Sequence, residues 1–246
     1  MQSLWLIYPA VIFVIGYAVY TFLGTPWGRG VVGEWRVRLA IGKSKPERQY
    51  VLNDYTVSVE GKSSQIDHIV IRENGIFVIE TKNYSGRIYG NENAQEWVQV
   101  LNYGKVKNKM HNPLKQNATH IYRLKKLLPD YRLTPIVVFV QGNTAFLETD
   151  KVVSIAGMKR ILARPTGEHL SFDARLKAYT TLLRAAAEKP VTKKEHLAEI
   201  AKLKSDLANN ICPRCGGRLV ERHGSHGTFY GCENYPRCRF TKTGTK

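Results

Sequence analysis

A chain of 246 residues holds one ordinary domain and a small module, and is too short for a larger multidomain assembly. Its 37 Lys and Arg against 20 Asp and Glu give a formal charge of +17, which suits a polyanionic partner. That charge alone does not separate DNA from RNA or from an anionic membrane surface. The chain shows no internal repeat and no low-complexity tract.

The N-terminus comes first. Leu4 to Leu23 contains no charged side chain and spans about 20 residues, enough to cross a bilayer core as a helix. Trp5 and Tyr8 lie near one end, and Tyr20 and Trp27 near the other, where interfacial aromatics belong. A cleaved signal peptide fits less well, because no Lys or Arg precedes the apolar run and no small-residue cleavage site precedes Thr25-Pro26. Arg29, Arg36 and Arg38 follow the span. Residues 1–27 are therefore expected to be a single-pass membrane anchor that leaves the body in the cytoplasm. A hydrophobic helix buried against the body is the alternative.

A helix over Gly30 to Ile41 carrying Glu34 is expected next, then a strand over Tyr50 to Glu60. Ser64 to Ile71 and Gly75 to Lys82 read as two strands joined at Asn74-Gly75, a strong hairpin signal. Side chains alternate along a strand, so Asp67, Ile69 and Ile71 share one face, as do Ile76, Val78, Glu80 and Lys82. A turn over Arg72 to Gly75 sets Asp67 opposite Glu80. The tighter Asn74-Gly75 turn sets it opposite Lys82. Either register closes one end of an apolar face with two carboxylates and a lysine. Asp67 and Glu80 can hold a hard cation through oxygen, and Lys82 can sit beside an attacking water. A cross-strand salt bridge explains the same spacing. Gln65 shares the Asp67 face; His68 points to the other face and reads as structural.

Short strands are expected at Arg87 to Tyr89 and Glu96 to Leu101. Lys105 to Arg132 is basic, with Asp130 its single acid. Asn112 can cap a helix starting at Pro113, with Leu114, Ile121, Leu124 and Leu128 as its apolar stripe. Gln116 and His120, four apart, share another face. A solvated basic helix explains the charge as well. Strands at Ile136 to Val140 and Lys151 to Ile155 precede a short helix over Met158 to Leu162 and a longer one over Phe172 to Ala187. Residues 188–210 are expected to be a helical linker.

The last 35 residues hold every cysteine, spaced C-x2-C-x16-C-x5-C: Cys212, Cys215, Cys232 and Cys238. Four thiolates on two turns suit tetrahedral Zn²⁺ better than a disulfide framework. His223 and His226 lie between the pairs and are not expected as ligands. Phe229, Tyr230, Tyr235 and Phe240, interleaved with arginines, are available for base stacking or for packing a small core.

Two stretches resemble known families. Gly33-Glu34, Gln65-Ile66-Asp67-His68, Ile79-Glu80-Thr81-Lys82-Asn83-Tyr84, Gly86, Gly90, Trp97 and Asn112-Pro113 with Gln116 and His120 resemble the nuclease-related domain (NERD) family. That family is placed in the restriction-endonuclease-like, PD-(D/E)XK group. The resemblance implies an α/β core over residues 28–187 with Glu34, Asp67, Glu80 and Lys82 as catalytic residues. It also implies Mg²⁺ (or Mn²⁺) held by Asp67, Glu80 and the Thr81 backbone carbonyl. The helix after the core strands would border the site, so Gln65, Lys115, Gln116, His120 and Arg123 become candidate substrate contacts. Residues 211–246 resemble the zinc ribbon of type IA DNA topoisomerases through Cys-Pro-Arg-Cys-Gly-Gly from Cys212 and Tyr235-Pro236-Arg237-Cys238. This implies DNA binding, with Tyr235 and Arg237 as candidate contacts. The combined expectation is a membrane-anchored deoxyribonuclease with no small-molecule cofactor; a non-catalytic, membrane-tethered DNA-binding protein on the same fold is the alternative.

Overall fold

The computed structural model describes residues 4–188, 190, 192–224 and 227–243. His226 and Lys246 lie outside the described residues, as does the side chain of Trp5. The chain divides into two compact units: Met1–Glu60 with Ser64–Pro190, and Gly61–Ser63 with Val191–Lys246.

The first unit begins with helix α1 (Leu4–Gly24), which has no acidic residue in its first turn and no basic residue in its last. Helix α2 (Pro26–Ile41) follows after Thr25, whose hydroxyl accepts from the Gly28 N–H while Pro26 takes the first helical position. Among the described residues no single helix is long and apolar enough to cross a membrane; Val11–Gly24 and Pro26–Ile41, bent by 87°, reach that length and composition only as a pair.

The core is an eight-stranded mixed sheet. Strands β1 (Gln49–Val59), β2 (Lys62–Arg72), β3 (Gly75–Asn91), β4 (Glu96–Leu101) and β5 (Val106–His111) lie side by side in that order. β6 (Leu133–Asn143) runs parallel to β3, and the two-residue strands β7 (Leu147–Glu148) and β8 (Val152–Val153) pair with β3 and β6 respectively. The hairpin adopts the wider of the two expected registers, with Arg72 opposite Gly75, Ile71 opposite Ile76 and Ile69 opposite Val78. Arg87 to Tyr89, expected as a separate strand, is the far half of β3, which crosses the sheet without a break and serves β2 and β4 in turn. Lys151 to Ile155, expected as one strand, gives only Val152–Val153 before Ser154 caps a helix.

Helices cover both faces. On one, Leu124 and Leu128 of α3 (Pro113–Leu127, with Leu128 as its cap) and Ala178 and Leu182 of α5 (Phe172–Glu188) pack on Ile69, Ile71, Ile76 and Val78. On the other, Val37 and Ile41 of α2 and Met158 and Leu162 of α4 (Ile155–Ala163) pack on Val70, Phe77 and Ile79. The hairpin's alternation thus splits its apolar side chains between two cores, as period-2 geometry requires.

The second unit contains helix α6 (Lys193–Ala208), closed at its start by a reciprocal capping box between Thr192 and Glu195. Strands β9 (Leu219–Gly224), β10 (Gly227–Cys232) and β11 (Thr241–Thr243) form an antiparallel sheet. Leu207 of α6 packs with Leu219, Tyr230 and Phe240 around the cysteines, so the expected linker helix ends as part of the ribbon's core.

Candidate active site

The polar end of the hairpin is built by α2, β2, β3 and α3. Gly33 lets α2 approach the strand: a Cβ there would lie 2.6 Å from the Asn83 Cβ. Asn83 Nδ2 donates to the Arg29 carbonyl at 2.6 Å, fixing α2 over the middle of β3 and bringing Glu34 toward Asp67. From the other face, α3 is pinned by two buried asparagines. Asn112 Oδ1 accepts from the Leu114 N–H, and its amide donates to the carbonyls of Asn91, Glu92 and Ala94. Asn117 Nδ2 donates to the carbonyls of Val78 on β3 and Ile136 on β6. This fixes α3 so that Gln116 and His120 face β3.

Within this frame Lys82 Nζ lies 2.6 Å from Glu80 Oε1 and donates to Gln116 Oε1 at 3.0 Å. Glu80 Oε2 lies 3.3 Å from His120 Nε2, yet neither atom completes a hydrogen bond, and both are buried. His120 Nδ1 bonds Ser64 Oγ at 2.7 Å. Asp67 Oδ2 accepts the Thr81 N–H at 2.7 Å. The β3–β6 ladder slips in register immediately after Lys82, so the strand is irregular beside the charged groups.

Burial opposes ionisation of Glu80, but Lys82 and His120 overcome it and hold its carboxyl below the ordinary glutamate range. Burial likewise favours neutral Lys82, but Glu80, and Asp67 more weakly, hold the ammonium above its usual value, so it stays charged at neutral pH. Asp67 goes the other way. Burial first, then the Glu80 charge, push it well above the carboxylate range; Glu34 adds to this, and the Thr81 N–H and Lys82 offset only part.

These donors suit a hard divalent cation. Glu80 Oε2 is a buried carboxylate oxygen without a hydrogen-bond partner, and the negative charge around Asp67 is the kind a cation relieves. Among the described residues, however, only the four cysteines bring three or more ligand atoms within 4.8 Å of one another; Glu34, Asp67 and Glu80 are not gathered that tightly. A cation here would lean on few protein ligands and on water, which is how Mg²⁺ is ordinarily held.

The other sequence candidates are dispersed. Gln116 joins the site. His120, expected beside substrate, is instead buried behind Glu80. Gln65, Arg123 and Lys115 are half-buried, and Lys115 Nζ donates to the Asn93 carbonyl. His68 is buried on the opposite face against Asn53 Oδ1 at 2.7 Å, and burial, aided by Arg38, brings its pKa down to about 4. Ser64 and Asn117 were missed as site residues. For Asn117 the signal was present: it interrupts the apolar stripe of α3 at a core position. His111, on the unforeseen strand β5, lies within electrostatic reach of Lys82.

In the ribbon all four thiols meet, with Sγ atoms 3.7 Å apart for Cys212 and Cys238 and 3.3 Å for Cys215 and Cys232. Asn234 Nδ2 and the Gly217 backbone N–H stabilise the Cys215 thiolate, bringing its pKa down to about 6. Four convergent sulfurs with N–H donors behind them suit a structural zinc ion. Around them Tyr235 and Arg237 are exposed, with the Arg222 guanidinium 5.9 Å from the Tyr235 ring.

Comparison with known proteins matches both units. Residues 29–140 match the nuclease-related domain family, and residues 209–246 match the topoisomerase DNA-binding C4 zinc finger family. An uncharacterized protein of Bacillus anthracis is 44% identical over 104 residues, which is 42% of this chain and 48% of that protein. DNA topoisomerase 1 of Methanocaldococcus jannaschii is 50% identical over 34 residues, 14% of this chain and 4% of the enzyme. The uncharacterized protein YrdD of Escherichia coli is 50% identical over 34 residues, 19% of its own length. The chain thus spans about half of the first relative and small parts of the others. No solved structure matches it.

Proposed function

We propose that this protein is a metal-dependent nuclease that hydrolyses phosphodiester bonds of DNA, with the C4 zinc finger as a module that grips the nucleic acid. The observation that carries the nuclease reading is the Glu80–Lys82 pair, buried beside an Asp67 whose charge is resisted by its neighbours, inside a nuclease-related domain. Asp67 and Glu80 would hold Mg²⁺ or Mn²⁺, with the Thr81 carbonyl as a further oxygen. A bound divalent ion neutralises phosphate charge and lowers the pKa of a coordinated water. The chain's own residues do the rest. Lys82, kept protonated by Glu80, places positive charge where charge builds up on the phosphate. Gln116 restrains the lysine, His120 backs Glu80, and Glu34 adds negative charge beside Asp67. In the ribbon, Tyr235 offers a stacking face and Arg237 a phosphate contact.

The exposed apolar side chains of α1 support a membrane anchor, although α1 by itself is not long and apolar enough to span: Ile12, Phe13, Val14, Ile15, Tyr17 and Tyr20 are all exposed, at 57–76%. Such a surface is stable in hydrocarbon and costly in water. With Arg29, Arg36 and Arg38 on its C-terminal side, the body faces the cytoplasm. Flotation of the full chain with vesicles, lost on deletion of residues 1–24, checks the anchor.

One observation favours a second reading, a tethered DNA-binding protein without activity: Glu80 Oε1 is already taken by Lys82, and the three carboxylates are not gathered. Cleavage of plasmid and single-stranded DNA with Mg²⁺ or Mn²⁺ decides. The nuclease reading expects activity in the wild type and none in Asp67→Ala or Lys82→Ala. Tight, salt-sensitive binding without metal-dependent cleavage in any of the three selects the second reading.

A further inference from the structure

Beyond Asp67, strand β2 runs on to Arg72, five residues and about 17 Å away along an extended chain. Two cavities of about 410 and 630 Å³ adjoin there, sharing Arg48, Arg72, Leu162 and Ala163. The smaller is lined by five cationic side chains, Lys43, Lys45, Arg48, Arg72 and Lys159, and by no carboxylate. Among the described residues none of the five forms an ion pair with Asp or Glu. Glu47, in the same loop, does not line the cavity.

The floor of this cavity is built rather than incidental. Arg72 Nε donates to Gln49 Oε1 at 2.8 Å, and its Nη1 donates to the Leu162 carbonyl at 2.9 Å. Gln49 is itself 3% exposed, its amide fixed by the carbonyls of Ile41 at 3.1 Å and Lys43 at 3.0 Å. The guanidinium is therefore held in one orientation, which an anion can use without ordering it first. Burial, together with the nearby Arg48, lowers the Arg72 pKa from its usual value. That like-charge strain is one a bound anion relieves.

The larger cavity differs in character. Glu73 and His169 pair there at 2.9 Å, beside Asn74 and Glu168. Arg48 and Arg72 thus stand at the junction of the two chambers, Lys43, Lys45 and Lys159 line only the smaller one, and both carboxylates of the pair of cavities, Glu73 and Glu168, lie on the side of the larger.

We propose that these two chambers bind a nucleoside polyphosphate. Its phosphates lie among Lys43, Arg48, Arg72 and Lys159, and its nucleoside lies toward Asn74 and Pro165. Five cations match several phosphates better than one, and arginine forks suit their oxygens. A concave site of a few hundred Å³ fits a single small ligand rather than a passing strand. The proposal does not rest on the nuclease reading, since none of these residues belongs to the Asp67–Glu80–Lys82 site.

The test is titration calorimetry on the full-length protein in mild detergent, without added divalent metal, at matched ionic strength. The probes are ATP, inorganic pyrophosphate and adenosine. ATP should bind saturably and more tightly than pyrophosphate, and adenosine should not bind measurably. In Arg48→Ala/Lys159→Ala, which alters only exposed side chains, both affinities should fall at least about tenfold. In Arg237→Ala, on the ribbon, they should not change. Unaltered affinity in the double variant, or no saturable binding of either anion, overturns the site. ATP no tighter than pyrophosphate overturns the nucleoside assignment, and loss of binding in Arg237→Ala moves the site to the ribbon. Unchanged thermal melting of the double variant shows that its fold is intact.

Discussion

His120 stands between Ser64 and Glu80 with its ring buried, so its effect on chemistry passes through the carboxylate it backs. Groups behind a metal ligand typically change metal affinity or activity by 10–100-fold when removed. His120→Ala is therefore expected to raise the Mn²⁺ concentration for half-maximal DNA cleavage by about 10–100-fold. The KM for DNA should stay close to wild type, and His120→Gln should recover part of the loss. His68 makes a separate prediction. Its folded pKa of about 4 lies below the ordinary 6.5, so between those values the unfolded chain binds the proton and the native protein does not. Stability is then fully present above pH 6.5 and declines as pH falls toward 4, by about 3 kcal/mol for this one group. Denaturant melts from pH 7 to 4 should show that slope, and His68→Gln should flatten it. The sequence placed His68 correctly because strand alternation assigns a face. It misplaced His120 because a helical spacing says which side chains share a face, not how deeply that face is buried.

The elements around the site depend on one close approach, that of α2 to β3. A methyl group at Gly33 would meet Asn83 at 2.6 Å, so the helix must lift and carry Glu34 with it. Gly33→Ala is expected to destabilise the first unit by about 1–3 kcal/mol, read as a lower denaturant midpoint with unchanged slope. The hairpin itself was readable, because Asn74-Gly75 and two alternating apolar runs admit few registers. β5 was not. Val106–His111 carries two lysines, an asparagine and a histidine, and its only buried residue is Met110. It is a strand because β4 offers it a free edge, and that long-range cause leaves no local pattern. β3 was read as two strands for a related reason: Asn83 to Gly86 interrupt its apolar pattern before Ile88, while the strand itself runs on through them.

Across the whole molecule, two cores have different origins of stability. The first unit buries large aliphatic clusters on both sheet faces. The ribbon's buried cluster is Leu219 and three cysteines, with Leu207, Tyr230 and Phe240 partly buried against it. So little apolar area cannot offset chain entropy by itself, and metal binding at such a site is folding free energy. Cys212→Ser should therefore abolish zinc retention and order in the ribbon while the melting temperature of the first unit stays within error of wild type. If the ribbon grips nucleic acid, the same variant should bind DNA more weakly, with a shallower dependence on salt. The slope of log K against log salt should fall by about 0.9 for each phosphate contact the ribbon makes. Fluorescence anisotropy from 50 to 300 mM salt measures this directly. An unchanged slope with zinc lost would assign the chain's DNA contacts to the first unit, where α3 and its flanking lysines provide a basic surface beside the candidate active site.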